Sequence, residues 1–349
     1  MLKMEKKPVN HRTYVDAATG RVRVLKCERV RVEASARLHG GFHRLPDVQG
    51  NKSYAGIGFY IEEPRVTVEA SIGGTGRHWQ VEARGPYASH AERLARMTLE
   101  KLKPGIEGLE VRVTNSIPPH AGLGSTTQIV LSVAAALHAL TTGRPPSTGE
   151  IHYLSHRLGR GRRSLAGTLL YASGGVVVDA GAPAEPPYTP LYHGVLPSDW
   201  VFVVFEPELP EGLSGREEEE AFTRLPLAGE HIVGLQERGL ARLLLGLARM
   251  ELDTVIDGLR MIQTATGMYF RGAQRGVYRS DLELVADEAW RDGIFLAQSS
   301  WGPTLYTLTD RGRAWSDVKT LRMIAGLHGL KARVRIVEPR STPALVECS

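Results

Sequence analysis

Between a short alternating strand and a long apolar helix, residues 117–128 read Ile-Pro-Pro-His-Ala-Gly-Leu-Gly-Ser-Thr-Thr-Gln. No other stretch so narrows what the chain can be. The strand before it is Leu109-Glu110-Val111-Arg112-Val113-Thr114, and the spacing predicts a helix over Thr127–Leu140. A glycine-rich turn entering a helix points successive backbone N–H groups at one place, and the helix N-terminus adds about half a positive charge. Gly122 and Gly124 let the backbone approach a ligand closely. Ser125, Thr126 and Thr127 offer hydroxyls that cap the helix, coordinate magnesium or bind a phosphate oxygen. The expectation is an anion site for phosphate or pyrophosphate, formed by Gly122, Leu123, Gly124, Ser125, Thr126 and Thr127. The same letters also suit a plain tight turn with a Ser or Thr cap. Two commoner phosphate loops fit worse. There is no Gly-Lys-Ser/Thr, so this is not a Walker loop. Thr127 stands where a dinucleotide fingerprint has its third glycine.

Composition sets the outer limits. At 349 residues, one large or two moderate domains are expected. The 42% apolar content supplies a full core, and 23% charged residues argue against global disorder. A net charge of +5 suits an anionic small substrate but does not by itself argue for nucleic acid. Cys27 and Cys348 sit near opposite ends and make neither a metal pattern nor a disulfide framework. A reduced, cytoplasmic setting is expected, with a tie between the two left open. No apolar run reaches the roughly 18 residues needed to span a bilayer, and Met1 to Lys7 lacks a signal-peptide core.

Residues 1–27 read as a polar leader, loose over its first 20 positions, with a strand at Val22–Leu25. A strand at Arg29–Leu38 alternates cleanly, followed by a Gly-rich passage from His39 to Gly58. Val66–Ile72 and Trp79–Ala83 read as a strand pair, and Tyr87–Leu102 as a helix stopped by Pro104-Gly105. The helix after the glycine loop is apolar nearly all round and is expected to be buried. Helix Thr148–Leu158, the basic turn Gly159-Arg160-Gly161-Arg162-Arg163 and strand Gly175–Asp179 come next. The proline-rich stretch 183–190 is the candidate linker. Beyond it come strand Trp200–Glu206, an acidic helix from Glu217, a helix over about 240–263 and a helix over 281–292. Strands 294–298 and 304–309, a helix over 313–328 and a strand over 332–337 complete the chain. That order predicts an antiparallel sheet covered by helices on one face.

Three segments together resemble the GHMP kinase superfamily. Pro118 through Thr126 resembles its central phosphate motif, Val32 through His39 its N-terminal motif, and Gln298-Ser299-Ser300-Trp301-Gly302-Pro303-Thr304 its third, Gly-rich motif. The finer match is to the archaeal β-ribofuranosylaminobenzene 5′-phosphate synthases, superfamily members that are not kinases. It is carried by Ile117–Gln128, Gly174-Gly175-Val176-Val177-Val178-Asp179, Ser299–Thr304, and Arg160-Gly161 placed ahead of the valine strand. The resemblance covers about residues 28–338. It implies an α+β fold: a GHMP-type two-layer α/β domain (28–190) with a left-handed βαβ crossover, then a ferredoxin-like GHMP domain (191–349). It implies a reaction joining phosphoribosyl pyrophosphate to 4-hydroxybenzoate or 4-aminobenzoate, with loss of pyrophosphate and carbon dioxide, in methanopterin-type cofactor synthesis. The sequence departs from the family at Arg162-Arg163-Ser164-Leu165-Ala166-Gly167, where two expected glycines are replaced by long cations.

Pyrophosphate departure needs charge neutralisation, which backbone N–H groups, magnesium and arginines supply. Arg160, Arg162 and Arg163 are candidate phosphate clamps, because guanidinium forks match phosphate oxygens. They suit a solvated turn after a helix equally well. Asp179 is a candidate for magnesium or for the cationic sugar, or else a strand-end turn residue. Magnesium is assigned to Ser125 and Asp179. Arg37 and His39 are placed beside the acceptor carboxylate or a phosphate. His39 and His43 are four apart, but Gly40-Gly41 opposes a helical zinc pair. Ser299, Ser300 and Gly302 are expected to face the glycine loop, or else form a simple hairpin turn. Trp301 packs or stacks on an aromatic acceptor. The alternatives to the transferase are an ATP-dependent GHMP small-molecule kinase and a non-catalytic phosphate-ligand or RNA-binding member. The lack of interleaved aromatics argues against nucleic acid. The resemblance also allows a homodimer.

Overall fold

The fold was obtained as a computed structural model, which describes residues 13–15, 22–24, 27–73, 79–182, 184–212 and 215–349. The remainder of the predicted leader and Leu25 lie outside these residues. Within the leader, β1 (Thr13–Val15) pairs antiparallel with β2 (Val22–Val24), where a loose segment was expected over the first 20 positions.

Two very long strands organise the first sheet. β3 (Arg29–Arg44) continues through Gly40-Gly41 into the Gly-rich passage, and β4 (Ala55–Ile72) returns beside it. Bulges between Ser35 and Arg37 and between His39 and Phe42 absorb the change in register. The two ends of the Gly-rich passage, 39–44 and 55–58, are therefore sheet, and residues 38–43 are buried. β5 (Gln80–Arg84), α1 (Ala88–Leu102) and β6 (Leu109–Asn115) form a β-α-β unit with β5 and β6 parallel. β4 and β5 are not neighbours, as the strand-pair expectation required; β6 lies between them.

α2 (Ser125–Thr142) starts two residues earlier than predicted and is buried along most of its length. α3 (Thr148–Arg157) opens with a capping box between Ser147 and Glu150. α4 (Ala166–Ser173), a short apolar helix, was not anticipated. β7 (Val176–Val178) pairs with the start of β4, and β8 (Tyr192–Gly194) pairs with β7. The proline-rich stretch thus lies within the first sheet's connections.

β9 (Trp200–Pro207) is the centre of the second sheet. After α5 (Gly215–Thr223), the helix expected over 240–263 is two helices, α6 (Glu230–Arg249) and α7 (Leu252–Gln274), broken where Met250 takes a left-handed conformation. α8 (Glu283–Arg291), β10 (Ala297–Gln298), β11 (Leu305–Asp310), α9 (Ala314–Leu327) and β12 (Ala332–Val337) complete an antiparallel sheet in the order β10-β11-β9-β12. β10 is shorter than the strand expected at 294–298. The last strand, β13 (Leu345–Cys348), leaves that sheet and adds to the edge of the first, beside β3. Both ends of the 191–349 segment therefore join the first sheet. The β13 pairing also brings Cys348 to Cys27; the two are joined as a disulfide with Cα atoms 5.9 Å apart, the tie the sequence had left open beside a reduced setting.

Every residue of β9 except Glu206 is buried, and its two faces serve different cores. Val201, Val203 and Phe205 pack with α8 and α9. Phe202 and Val204 join the main core. The junction is aromatic: the Phe59 ring centroid lies 5.4 Å from Phe202 and 6.3 Å from Tyr306. Truncating a fully buried Phe costs about 3–5 kcal/mol. Phe59→Ala is therefore expected to lower the unfolding free energy by about that amount in urea titration, and a loss under about 1 kcal/mol would contradict this packing.

Candidate functional site

The glycine loop is held by backbone rather than by side-chain caps. Gly124 is the N-cap of α2 in a left-handed conformation (φ 77°), with no side-chain cap hydrogen bond. Ser125 and Thr126 are thus the first helical residues and do not cap. Their N–H groups find no acceptor among the described residues, whereas Thr127 and Gln128 N–H both donate to Gly124 O. The Ser125 hydroxyl is buried and also unpartnered. A free helix N-terminus and an orphaned hydroxyl at one point are the physical signature of an anion site.

The third motif closes on this loop from the second sheet. Ser299 Oγ donates to Gly122 O at 2.7 Å and accepts from His39 N–H at 3.0 Å. The contact is backbone on backbone. A Cβ on Gly122 would lie 1.9 Å from Ser299 O, and one on Gly302 would lie 2.0 Å from Ala121 O. Only glycine fits at either position. Arg37 comes up from β3: its N–H donates to Leu123 O at 3.0 Å, and its guanidinium donates to Gly122 O.

These parts wall a cavity of about 720 Å³. Five cations line it without a carboxylate within ion-pair distance among the described residues: Arg37, Arg93, Lys101, Arg160 and Arg162. Burial lowers the Arg37 pKa to about 10, so it stays charged at neutral pH. Burial, then Arg162, lowers that of Arg160, whose buried Nε has no partner. Burial and then Arg37 push His39 down to about 3, which keeps its imidazole neutral.

Comparison with known proteins agrees with this geometry. Residues 89–170 match the family model described as GHMP kinases N terminal domain. The chain is 27% identical over 304 residues to the β-ribofuranosylphenol 5′-phosphate synthase of Methanothermobacter thermautotrophicus, covering 80% of this chain and 88% of that protein. It is 26% identical to the protein of the same name from Archaeoglobus fulgidus, covering 91% and 99%. Among solved structures, homoserine kinase from Cytophaga hutchinsonii superposes with a TM-score of 0.64 at 15% identity, over 92% of this chain and 98% of that one. The chain has the GHMP kinase superfamily fold. The α+β expectation and the resemblance to the archaeal synthases are both borne out.

Within this GHMP fold, the predicted residues separate into three groups. Arg37, His39, Gly122, Gly124, Ser125, Thr126, Thr127, Arg160, Ser300 and Gly302 all line the cavity. Leu123 does not; its side chain is 1% exposed and sits in the main core, so it anchors the loop instead of touching a ligand. Asp179 does not either. Its Oδ2 accepts from Ser164 Oγ at 2.9 Å and Leu165 N–H at 3.0 Å, and its Oδ1 from Gly181 N–H at 3.0 Å. With no exposure and both oxygens occupied, Asp179 cannot serve as the assigned metal ligand or meet the sugar. It is a positioning residue that fixes Ser164 and the start of α4 behind the cavity wall. His43 likewise turns away, its Nε2 lying 2.9 Å from Asp179 O.

Two further features were missed. Arg93, Met97 and Lys101 recur every four residues on one face of α1, a signal present in the sequence. Glu218 and Glu219, read as a solvated helix start, line the cavity and pair with Arg163. Arg163 also covers the Phe222 ring at 3.7 Å, so it belongs to α5 and is not a free phosphate clamp. Trp301 packs edge-on against Phe222 and Phe270 while lining the cavity.

Burial raises the Asp179 pKa from 3.8 to about 6, against its hydrogen bonds. The folded state holds the proton more tightly, so the stabilisation is full below about pH 4 and is lost as pH rises through about 6. Carboxyl ¹³C NMR is expected to place the Asp179 midpoint near 6. A midpoint at or below the ordinary 3.8 would contradict the buried setting.

Proposed function

We propose that the chain is a phosphoribosyl pyrophosphate-dependent transferase that joins ribose 5-phosphate to a 4-substituted benzoate, releasing pyrophosphate and carbon dioxide. One observation carries this reading: the orphaned Ser125 hydroxyl and free N–H groups of the α2 N-terminus open into a large cavity lined by five unpaired cations. A substrate with a phosphate at one end and a pyrophosphate at the other matches that density of donors. The names of the archaeal relatives, which describe a ribosylated phenol phosphate, support the same chemistry.

In the proposed step, the C–O bond from ribosyl C1 to pyrophosphate breaks and its electron pair leaves with the pyrophosphate. The arene carbon bearing the carboxylate bonds to C1. Carbon dioxide then departs, and the C–C pair it leaves behind restores the aromatic ring. No proton is removed from carbon, which accords with His39, an imidazole that burial makes a weak base with a pKa of about 3. The α2 N–H groups, Arg37 and Arg160 face the charge that grows on the leaving group. Magnesium would add charge neutralisation there. Among the described residues, no group of three or more His, Cys, Asp or Glu offers a site for a metal ion. The Ser125 hydroxyl and the Glu218 carboxylate are the residues that would hold such an ion beside the leaving group.

Purified protein with magnesium, phosphoribosyl pyrophosphate and 4-hydroxybenzoate or 4-aminobenzoate is expected to yield a ribosylated, decarboxylated arene by mass spectrometry. Ser125→Ala and Arg160→Ala are expected to lower kcat/KM by roughly 10²–10³, as for loss of one preorganised donor. Absence of that product, with ADP formed from ATP and a small alcohol, would place the chain with the kinases instead.

A further inference from the structure

Tyr60 of β4 is fully buried outside the cavity, yet its one hydroxyl reaches both structures that form the anion seat. On one side it accepts the Ser35 N–H of β3 at 2.8 Å. On the other it donates to Gln128 Oε1 at 3.3 Å. Burial pushes the phenol up to about 12, so it keeps the proton that it donates. One accepted and one donated hydrogen bond fix its orientation. Ser35 and Gln128 are likewise without exposure.

Each partner leads to the site within a few residues. Ser35 begins the bulge of β3, where the register against β4 shifts between Ser35 and Arg37. A bulge releases backbone from the ladder and re-aims the side chains beside it. Here the Ser35 N–H goes to Tyr60. Two residues on, the Arg37 N–H goes to Leu123 O at 3.0 Å, which brings the Arg37 guanidinium to Gly122 O. Gln128 lies in the first turn of α2, its N–H donating to Gly124 O. Its side-chain amide also donates to Gly167 O of α4 at 3.3 Å. That turn is thus tied to β4 and to α4, and it carries the free Ser125 and Thr126 N–H groups. Tyr60 itself is held from behind. Its N–H donates to Gly175 O and its carbonyl accepts from Arg340 N–H, each at 2.9 Å. The Arg340 guanidinium donates in turn to Ser35 Oγ at 2.9 Å.

We propose that Tyr60 is a positioning residue of the anion seat: its hydroxyl sets both the β3 bulge that aims Arg37 and the α2 first turn that aims Ser125 and Thr126, so that the two sides close on one pyrophosphate. This rests on the pyrophosphate reading above. Without the hydroxyl, the Ser35 N–H and Gln128 Oε1 are both left buried and unpaired. Each recovers a partner only by moving, which shifts one side of the seat against the other. Tyr60 does not touch the substrate, so its effect reaches the ligand through Arg37 and α2.

Direct binding tests this without requiring turnover. Inorganic pyrophosphate with magnesium is the probe, titrated into the full chain by calorimetry. Tyr60→Phe keeps the ring and removes only the hydroxyl. It is expected to weaken pyrophosphate binding about tenfold, the scale of one misaligned charge-assisted hydrogen bond. Gln128→Met removes the second link at near-constant volume and is expected to weaken binding similarly. Combined, the two changes are expected to cost little more than either alone, because both break one relay. Leu321→Ala, in the separate core beneath α8 and α9, lowers stability but is expected to leave the affinity within about twofold. Wild-type affinity in Tyr60→Phe, fully additive losses in the pair, or an equal loss in Leu321→Ala would overturn the proposal. If the wild type itself binds no pyrophosphate, the reading of the seat fails and the proposal with it. If affinity follows Tyr60 but no C-riboside forms in the same samples, the transferase reading fails and the positioning role stands.

Discussion

The site depends on one close approach, that of the backbone of residues 121–124 to the backbone of residues 299–302. Gly122 and Gly302 permit it, because a single added carbon at either would collide with a carbonyl at about 2 Å. Ser299 then stitches the two segments by bridging Gly122 O and His39 N–H, joining loop, second sheet and β3 in one unit. The consequence is electrostatic as well as geometric. Gly122 O is turned to Arg37 and Ser299, so the loop's carbonyl faces inward while the α2 N–H groups are left for a ligand.

Around that junction the chain concentrates cations, from exposed Arg93, Lys101 and Arg162 to half-buried Arg37 and Arg160. Arg37 and Arg160 are both buried enough for desolvation to lower their pKa values, and neither has an ion pair. Holding unpaired charge at such a place is unfavourable for the folded protein alone. A bound anion would offset that cost, so the same cations that burden the fold would strengthen ligand affinity. Glu218, with its pKa raised by burial, and Glu219 are acidic counterweights on the same cavity wall, both paired with Arg163.

Much of this was legible in the sequence. The glycine loop, the third motif and the separate strand, helix and strand over 79–115 emerge from local letters, since turn glycines, apolar periodicity and short motifs act over a few residues; the parallel pairing of those two strands does not. What escaped reading was long-range. β3 continues through Gly40-Gly41 because Thr266 of α7 receives the Phe42 N–H, a partner 224 residues away. β13 joins β3 across more than 300 residues, and the same pairing places Cys348 on Cys27. Asp179 looked like a metal ligand because it ends an apolar strand. Its carboxylate is instead taken up by Ser164, Leu165 and Gly181, a set visible only once α4 is folded beside β7. The basic stripe of Arg93 and Lys101 was readable from helical spacing, but nothing local shows that it faces the loop.

The central claim is that the α2 N-terminus, closed over by the 299–302 turn, receives a pyrophosphate. A crystal structure of the protein with magnesium and phosphoribosyl pyrophosphate tests it most directly. The account predicts pyrophosphate oxygens within hydrogen-bond distance of the Ser125 and Thr126 N–H groups and of the Ser125 hydroxyl. A substrate seated elsewhere in the cavity, with those three donors still unengaged, would contradict it.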